Sequence, residues 1–540
     1  MDVSLLDLEV EIQNSSKDSS VNLGRLYELF SIETDACLKE SLLENICNLN
    51  QSLNFPDFKI YQQLAEYALA RSLYSIAEQF CVRLLLCNPT RWWALNQIRA
   101  IQRESNSNTL DSEFSEKKLP VSILRKYFPK VQIKYTQGNT CENDGVVRHV
   151  AYPSEKTAIT APFKIHYAED KSDPFEFRAY SHTSIISREA YTLEISGGSI
   201  WFDGFNFVVW NKSGEILDDV STGNCEIIQI LSSLKKPIDM GDSACLLGSR
   251  ISSNYYHWMY DAYPRISVLE KSNISVAGIK KYIATRIDQR FHRESLEAAG
   301  ISLDKVHSVE NDGEFVRADT LYIPSYGSNE NLIREKCSPG DNLHSLQGKW
   351  SSEFLRRKFL DNDAASEATS DLKLFITRGK GNSRSFINEE KFVDLLESKG
   401  FSVVEPESLS VRKQAELFSQ ASVVIAAHGA ALTNAVFCKP NTRIVEIHGP
   451  FTASCFWFIS NYMNLEHITY LNRASKQYVK KLHGQNYYSS LEKYRLTPLE
   501  LSNEEFEEIL NFSLKPKCST NSGVELALKK SRNIVDVRAN

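Results

Sequence analysis

Three clusters of reactive side chains carry spacings that suit chemistry. In NYYHWMYDAYPR, residues 254–265, His257 and Asp261 are four apart. On a helix they share one face and can act on one ligand. Pro264 cannot donate to the carbonyl of Tyr260, so that helix must bend or restart there. The same pair also reads as a satisfied His–Asp contact on a helix that packs its aromatics into a core. A zinc site lacks a third ligand near this H-x-x-x-D pair.

In LFITRGKGNSRSFINEE, residues 374–390, an apolar strand runs into Arg378, Gly379, Lys380, Gly381 and Arg384, with Asn388 at a helix N-terminus. Cations and glycines at the carboxyl end of a parallel strand face the ligand crevice and suit a diphosphate. A solvated basic loop is the plain alternative. In VVIAAHGAALTN, residues 423–434, the strand ends at His428-Gly429. There Gly429, Ala430 and Ala431 let backbone amides at the start of the next helix approach an anion. Glu446 closes the strand RIVEI, where a carboxylate can accept hydrogen bonds from ribose hydroxyls. No G-x-G-x-x-G is present, which argues against a nicotinamide-dependent oxidoreductase or epimerase.

These residues need a scaffold, and the chain supplies it in blocks. Residues 1–105 read as successive helices in which Tyr61, Leu64, Ala65, Ala77, Leu84 and Pro89 have spacings resembling a tetratricopeptide repeat. The polar stretch QRESNSNTLDSEFSEKK follows as a linker. Residues 120–365 begin β-rich, with SIWFDGFNFVVWNKSGEIL as strands around Asp203-Gly204 and Ser213-Gly214 turns. They continue as alternating elements, with KKYIAT and TLYIP as strands and HRESLEAAG as a helix closed by Gly300. A second polar segment, DNDAASEATSD, precedes residues 371–515. There the strands LKLFIT, FSVVE, VVIAA and RIVEI alternate with helices and require a parallel, Rossmann-like sheet. Residues 516–540 form a tail.

The 540 residues exceed what one core organises, and 42% hydrophobic with 24% charged residues is a globular balance. The net charge of -6 without a basic tract argues against nucleic acid as a partner. Eleven cysteines without a C-x-x-C pair read as reduced core thiols. The acidic start lacks the pattern of a signal peptide, and no apolar run reaches membrane-spanning length. A cytoplasmic location without a transmembrane segment is expected.

In this order the stretches resemble glycosyltransferase family 61. The matching residues are His257, Trp258, Asp261, Pro264 and Arg265, then Arg378, Arg384, Asn388 and Glu389, then His428 to Asn434, then Glu446. Glu405-Pro406-Glu407, Gln414 and Phe418 fit its middle segment. Thr377, Ser385 and Tyr263 depart from the family pattern, and the helical region lies outside the resemblance.

The resemblance implies an α/β fold of GT-B type, a pair of facing Rossmann-like domains, preceded here by the all-α tetratricopeptide-like region. It implies inverting transfer of a sugar, hexosyl or pentosyl, from a nucleotide sugar to a glycan or glycoconjugate acceptor, as in polysaccharide biosynthesis. Arg378, Arg384, Asn388, Glu407, His428, Gly429, Ala430, Asn434 and Glu446 are the expected donor-binding residues. Tyr256, Trp258 and Arg265 are expected on the acceptor side. Asp261 is the expected base, being ionised at neutral pH, with His257 positioning the acceptor or stabilising the carboxylate. No cofactor or metal is expected, because Asp361-Asn362-Asp363 sits in a polar linker and not at a strand end. The helical region is expected to be separable and to bind a protein partner or dock on the catalytic part. A catalytically inactive sugar-nucleotide-binding scaffold acting through those helices is the rival reading, and it gives no chemical reason for keeping His257, Asp261, Arg378 and His428 together.

Overall fold

The computed structural model describes residues 26–49 except 28, 58–87, 93–94, 97–98, 100–101, 134–136, 145–165, 183–202, 207–222, 225, 228–229, 236–248, 252–309 except 286, 313–325, 343–345, 348–360, 371–378, 385–449, 453–473 and 499–515. The first polar linker, residues 361–370 of the second, the tail, Pro89, Gly379, Lys380, Gly381 and Arg384 lie outside the described residues.

Alternation along the strands decides how the first half is layered. Ser199–Phe202 and Phe207–Trp210 pair antiparallel, with Phe202 opposite Phe207. Gly214, at φ +80, turns the chain into Ile216–Leu217. In this sheet Ile200, Phe202, Phe207, Val209, Val316 and Leu217 point to one side. Their neighbours Trp201, Val208, Trp210, Phe315 and Ile216 point to the other. Both faces are apolar, so both must be covered.

One face packs on a second six-stranded sheet. Its Val306–Val309, Lys281–Thr285, Ser243–Leu246 and Thr320–Pro324 strands run parallel, and Ala190–Ser196 and Val146–Tyr152 extend it antiparallel. The helix Arg290–Ala298 crosses between two of the parallel strands and is followed by Gly300 at φ +73, as the sequence led us to expect.

The other face is covered by the N-terminal helices. Ala36–Leu49, Phe58–Ala70 and Tyr74–Cys87 share one hydrophobic cluster with Trp201, Val208 and Trp210. Tyr61, Leu64, Ala65, Ala77 and Leu84 are all buried in it. The helical region is therefore the third layer of a sandwich. Deleting residues 1–110 is accordingly expected to leave a poorly soluble, dye-binding protein, because each bared large apolar side chain forfeits about 1.5–3 kcal/mol. Size-exclusion chromatography and a hydrophobic dye check this; a monodisperse truncated protein with an unchanged melting temperature would contradict it.

The second half forms a fully parallel sheet in the order Phe401–Val404, Leu372–Ile376, Ala421–Ala427, Arg443–His448, Glu466–Leu471, Phe163–Ile165. The apolar strand Ala421–Ala427 is near-continuously buried, as a central parallel strand with both faces covered should be. The sixth strand comes from far upstream and has no counterpart in the sequence reading. Among the described residues, no helix is long and apolar enough to cross a membrane. The seven cysteines whose side chains are described are free, and burial pushes Cys81, Cys245 and Cys438 up to about 12, so these thiols stay protonated.

Candidate functional site

The segment carrying His257 and Asp261 is helical but not an α-helix. His257–Ala262 is a π-helical turn, with the Tyr263 amide donating to the Trp258 carbonyl at 2.8 Å. Pro264 has no N–H for the Tyr260 carbonyl, and the chain restarts as the α-helix Arg265–Lys271 with Pro264 at its cap. Asn254 Oδ1 accepts from the Tyr256 amide at 2.9 Å and holds the start of the turn.

In the wider turn His257 Nδ1 lies 2.7 Å from Asp261 Oδ2. The His257 side chain is 32% exposed and that of Asp261 only 7%. The carboxylate lies behind the imidazole, which is the more accessible of the two.

The next side chains round the turn point inward. Trp258 is buried, donating from Nε1 to Ser295 Oγ at 2.7 Å and meeting the His292 ring edge-on. Arg265 is buried too. Its Nη1 donates to the carbonyls of Gly248, at 2.8 Å, and Leu246, at 3.3 Å, at the end of the Ser243–Leu246 strand. Both were expected on the acceptor side. The structure makes them anchors, because one residue past His257 the helix already faces the core.

Tyr256 keeps a place at the surface of the site. Its ring stacks on Tyr260 at 5.8 Å and meets His257 at 5.2 Å and Phe456 at 5.5 Å, both edge-on. Phe456, from the helix Cys455–Tyr462, is in turn 5.2 Å from the His428 ring. This aromatic chain spans from the His257–Asp261 pair to the turn at the end of the Ala421–Ala427 strand. Sequence reasoning missed Phe456, since an aromatic in an apolar helix carries no signal of its own.

At that turn the His428 amide still bonds the Ile447 carbonyl, and the chain then enters the 3₁₀ helix Ala430–Phe437. Arg378, just past the Leu372–Ile376 strand, donates from Nη1 to the His428 carbonyl at 2.9 Å. A Cβ at Gly429 would sit 2.4 Å from that Nη1, so glycine is what allows the guanidinium to lie on the backbone. Burial draws the Arg378 pKa down, and the Glu407 carboxylate opposes this. Ala430 and Ala431 are partly exposed at the start of the 3₁₀ helix. Behind it, Arg356 Nη1 binds the Val436 and Cys438 carbonyls at 2.9 Å each.

Other expected donor residues are occupied elsewhere. Asn434 is buried, taking the Tyr255 hydroxyl at 2.8 Å and giving a bond to Gln414 at 2.7 Å, so it clips the two halves together. Asn388 precedes the helix Glu389–Ser398, but its side chain makes no cap bond and donates to the Leu501 carbonyl at 2.6 Å. Thr377, where the resemblance has Ser, keeps a hydroxyl and bonds Glu389 at 2.8 Å.

Glu446 was expected at a strand end facing ribose. The strand runs on to His448, which leaves Glu446 inside it and fully buried. His428 Nδ1 lies 2.5 Å from Oε1, His467 Nε2 is 3.0 Å from Oε2, and His448 Nε2 is 3.4 Å away. Among the described residues the one group with metal-ligand character is His428, Glu446 and His448, their ligand atoms within 4.8 Å of one another. Each carboxylate oxygen carries an imidazole hydrogen bond, Oε1 from His428 and Oε2 from His467. His467 and His448 escaped sequence reasoning, for a single polar residue in an apolar strand carries no spacing to read.

No curated protein matches the chain. Residues 255–445 match the model of the family Glycosyltransferase 61. That interval carries the His257–Asp261 pair, Arg378 and the His428–Asn434 turn, and it supports glycosyltransferase family 61 and hence a transferase acting on a sugar donor and an acceptor.

Proposed function

We propose that the protein transfers a sugar, with inversion, from a nucleotide-sugar donor to a hydroxyl of a glycan or glycoconjugate. In this reading the two α/β halves face each other in the GT-B manner, and the diphosphate sits against Arg378 and the amides after His428. The observation that carries it is the continuous contact from His257 through Tyr256 and Phe456 to His428. It sets His257 and the His428 turn on the two sides of one aromatic bridge.

His257 is the base, with Asp261 orienting it and stabilising the charge it gains as it takes the proton, in the reverse of the order the sequence suggested. The acceptor hydroxyl gives its proton to His257, and its oxygen attacks the anomeric carbon from the side opposite the diphosphate. The bond from that carbon to the phosphate oxygen breaks, and its electron pair leaves with the nucleoside diphosphate. Arg378 and the backbone amides after Gly429 stabilise the departing charge. We assign the enzyme to the cytoplasm and to polysaccharide biosynthesis. The outward side of its tetratricopeptide-like helices is left for a protein partner.

A melting-temperature screen against nucleoside diphosphates and nucleotide sugars tests the reading. A donor at a hundred times its dissociation constant adds about 2.7 kcal/mol of stability. If no nucleotide raises the melting temperature, the proposal fails. Turnover with the donor so identified is expected to persist in excess chelator. Strict dependence of the chemical step on manganese or magnesium would show that cationic side chains do not replace a metal.

A further inference from the structure

We propose that Tyr255 and Asn434 are positioning residues, whose hydrogen bond sets the distance between the base His257 and the turn that takes the departing diphosphate. The inference rests on the function proposed above and deepens it by assigning what holds the two reacting parts in register. The two residues come from the two segments that carry the chemistry. Tyr255 shortly precedes His257 and its π-helical turn, and Asn434 lies in the 3₁₀ helix Ala430–Phe437 that follows His428 and Gly429. Their side chains meet directly, the Tyr255 hydroxyl donating to Asn434 Oδ1 at 2.8 Å.

The bond is one link of a chain whose direction is fixed from its far end. The Leu409 carbonyl can only accept, so Gln414 turns Nε2 to it, at 3.2 Å, and keeps Oε1 for Asn434, which donates from Nδ2 at 2.7 Å. Asn434 is left with its oxygen for Tyr255. Burial raises the pKa of the Tyr255 hydroxyl far above its ordinary value, and the bond to Asn434 offsets this only in part, so the hydroxyl stays protonated and remains a donor. Each link has a donor and an acceptor, the condition under which a buried polar network specifies one geometry.

A second grip acts on the same element. Gln414 belongs to the helix Val411–Ser419 of the second half. The Val411 amide, one of the donors that a helix start leaves without an intrahelical partner, donates at 2.7 Å to Glu294 Oε2 from the first-half helix Arg290–Ala298. Phe291 of that helix meets the Tyr255 ring edge-on at 5.2 Å. The ring is thus held from its own half while its hydroxyl reaches into the other. Transfer needs the attacking oxygen, the anomeric carbon and the leaving oxygen in line, and a shift of about 1 Å in such an arrangement costs on the order of a hundredfold in rate. Tyr255→Phe keeps the ring contact and cuts the link.

The test takes the nucleotide sugar that raises the melting temperature most, with water as acceptor, and compares the wild type, Tyr255→Phe, Asn434→Ala and the double variant. Water replaces the acceptor hydroxyl, gives its proton to His257 and attacks the anomeric carbon, and the nucleoside diphosphate leaves. Its release is followed with enzyme in excess, while calorimetry gives donor affinity and the number of binding sites per chain. Tyr255→Phe is expected to release it roughly ten- to a hundredfold more slowly per binding site, with donor affinity unchanged. Asn434→Ala loses at least as much, and the double variant is no slower than Asn434→Ala, because both changes break one link. A bond that serves stability alone would lower the melting temperature and leave the rate per binding site as it was, and that result overturns the inference. So does a loss of donor affinity as large as the loss of rate, or losses that multiply in the double variant. Should Asn434→Ala not fold, Tyr255→Phe decides alone on rate and affinity. A wild type that binds no nucleotide sugar overturns instead the function on which the inference rests.

Discussion

His257→Asn is expected to lose roughly 10²–10⁴-fold in turnover while binding nucleotide as the wild type does, the usual contribution of a positioned general base. The imidazole is the exposed member of its pair, and only it can meet an acceptor hydroxyl without the other moving aside. Asp261→Asn should lose less, because the histidine remains in place without its orienting charge. Near-normal turnover in His257→Asn alongside a large loss in Asp261→Asn would return the role of base to the carboxylate.

Arg378→Ala is the second large effect. Losing a charge-assisted hydrogen-bonding cation is expected to weaken nucleoside diphosphate binding by about 1.5–3 kcal/mol, roughly 10- to 150-fold. Gly429→Ala should reproduce much of this without touching the charge. Its new methyl would occupy the place of Nη1, and the flexible guanidinium would have to leave the His428 carbonyl. The folded state should tolerate that, since the displaced group is the far end of a side chain. Calorimetric titration of both variants, with melting temperatures as a control, decides the point; unchanged affinity in both would remove the diphosphate from this turn.

The parallel sheet was legible because its central strands are apolar runs punctuated by helices of crossover length, a pattern that local sequence carries in full. Arg378 and His428 were legible for the same reason: they stand where such strands end. Glu446 was misplaced because the strand continues to His448, and a shift of that size turns a rim residue into an interior one. Trp258 and Arg265 were drawn to the acceptor side by their nearness to His257, although helical geometry turns the very next residue away. The helical region's role as a cover could not be read locally. It depends on which face of a strand pair meets which layer, and the alternation of Ile200 and Trp201 has meaning only once both layers are known.

The strand Phe163–Ile165 has a mechanical consequence. It joins the sheet of the second half beside Glu466–Leu471, and Thr160 is tied down just before it, bonding Asn461 at 2.8 Å and Trp457 at 2.9 Å. The polypeptide thus enters the second half early, returns to finish the first, and crosses again before Leu372. Three crossings restrict relative motion far more than one, because a body held at several points cannot twist freely. The His257 pair and the His428 turn, bridged by Tyr256 and Phe456, should therefore keep their spacing. An isolated second half begun at residue 371 would also lose an edge strand and offer Glu466–Leu471 to neighbouring molecules.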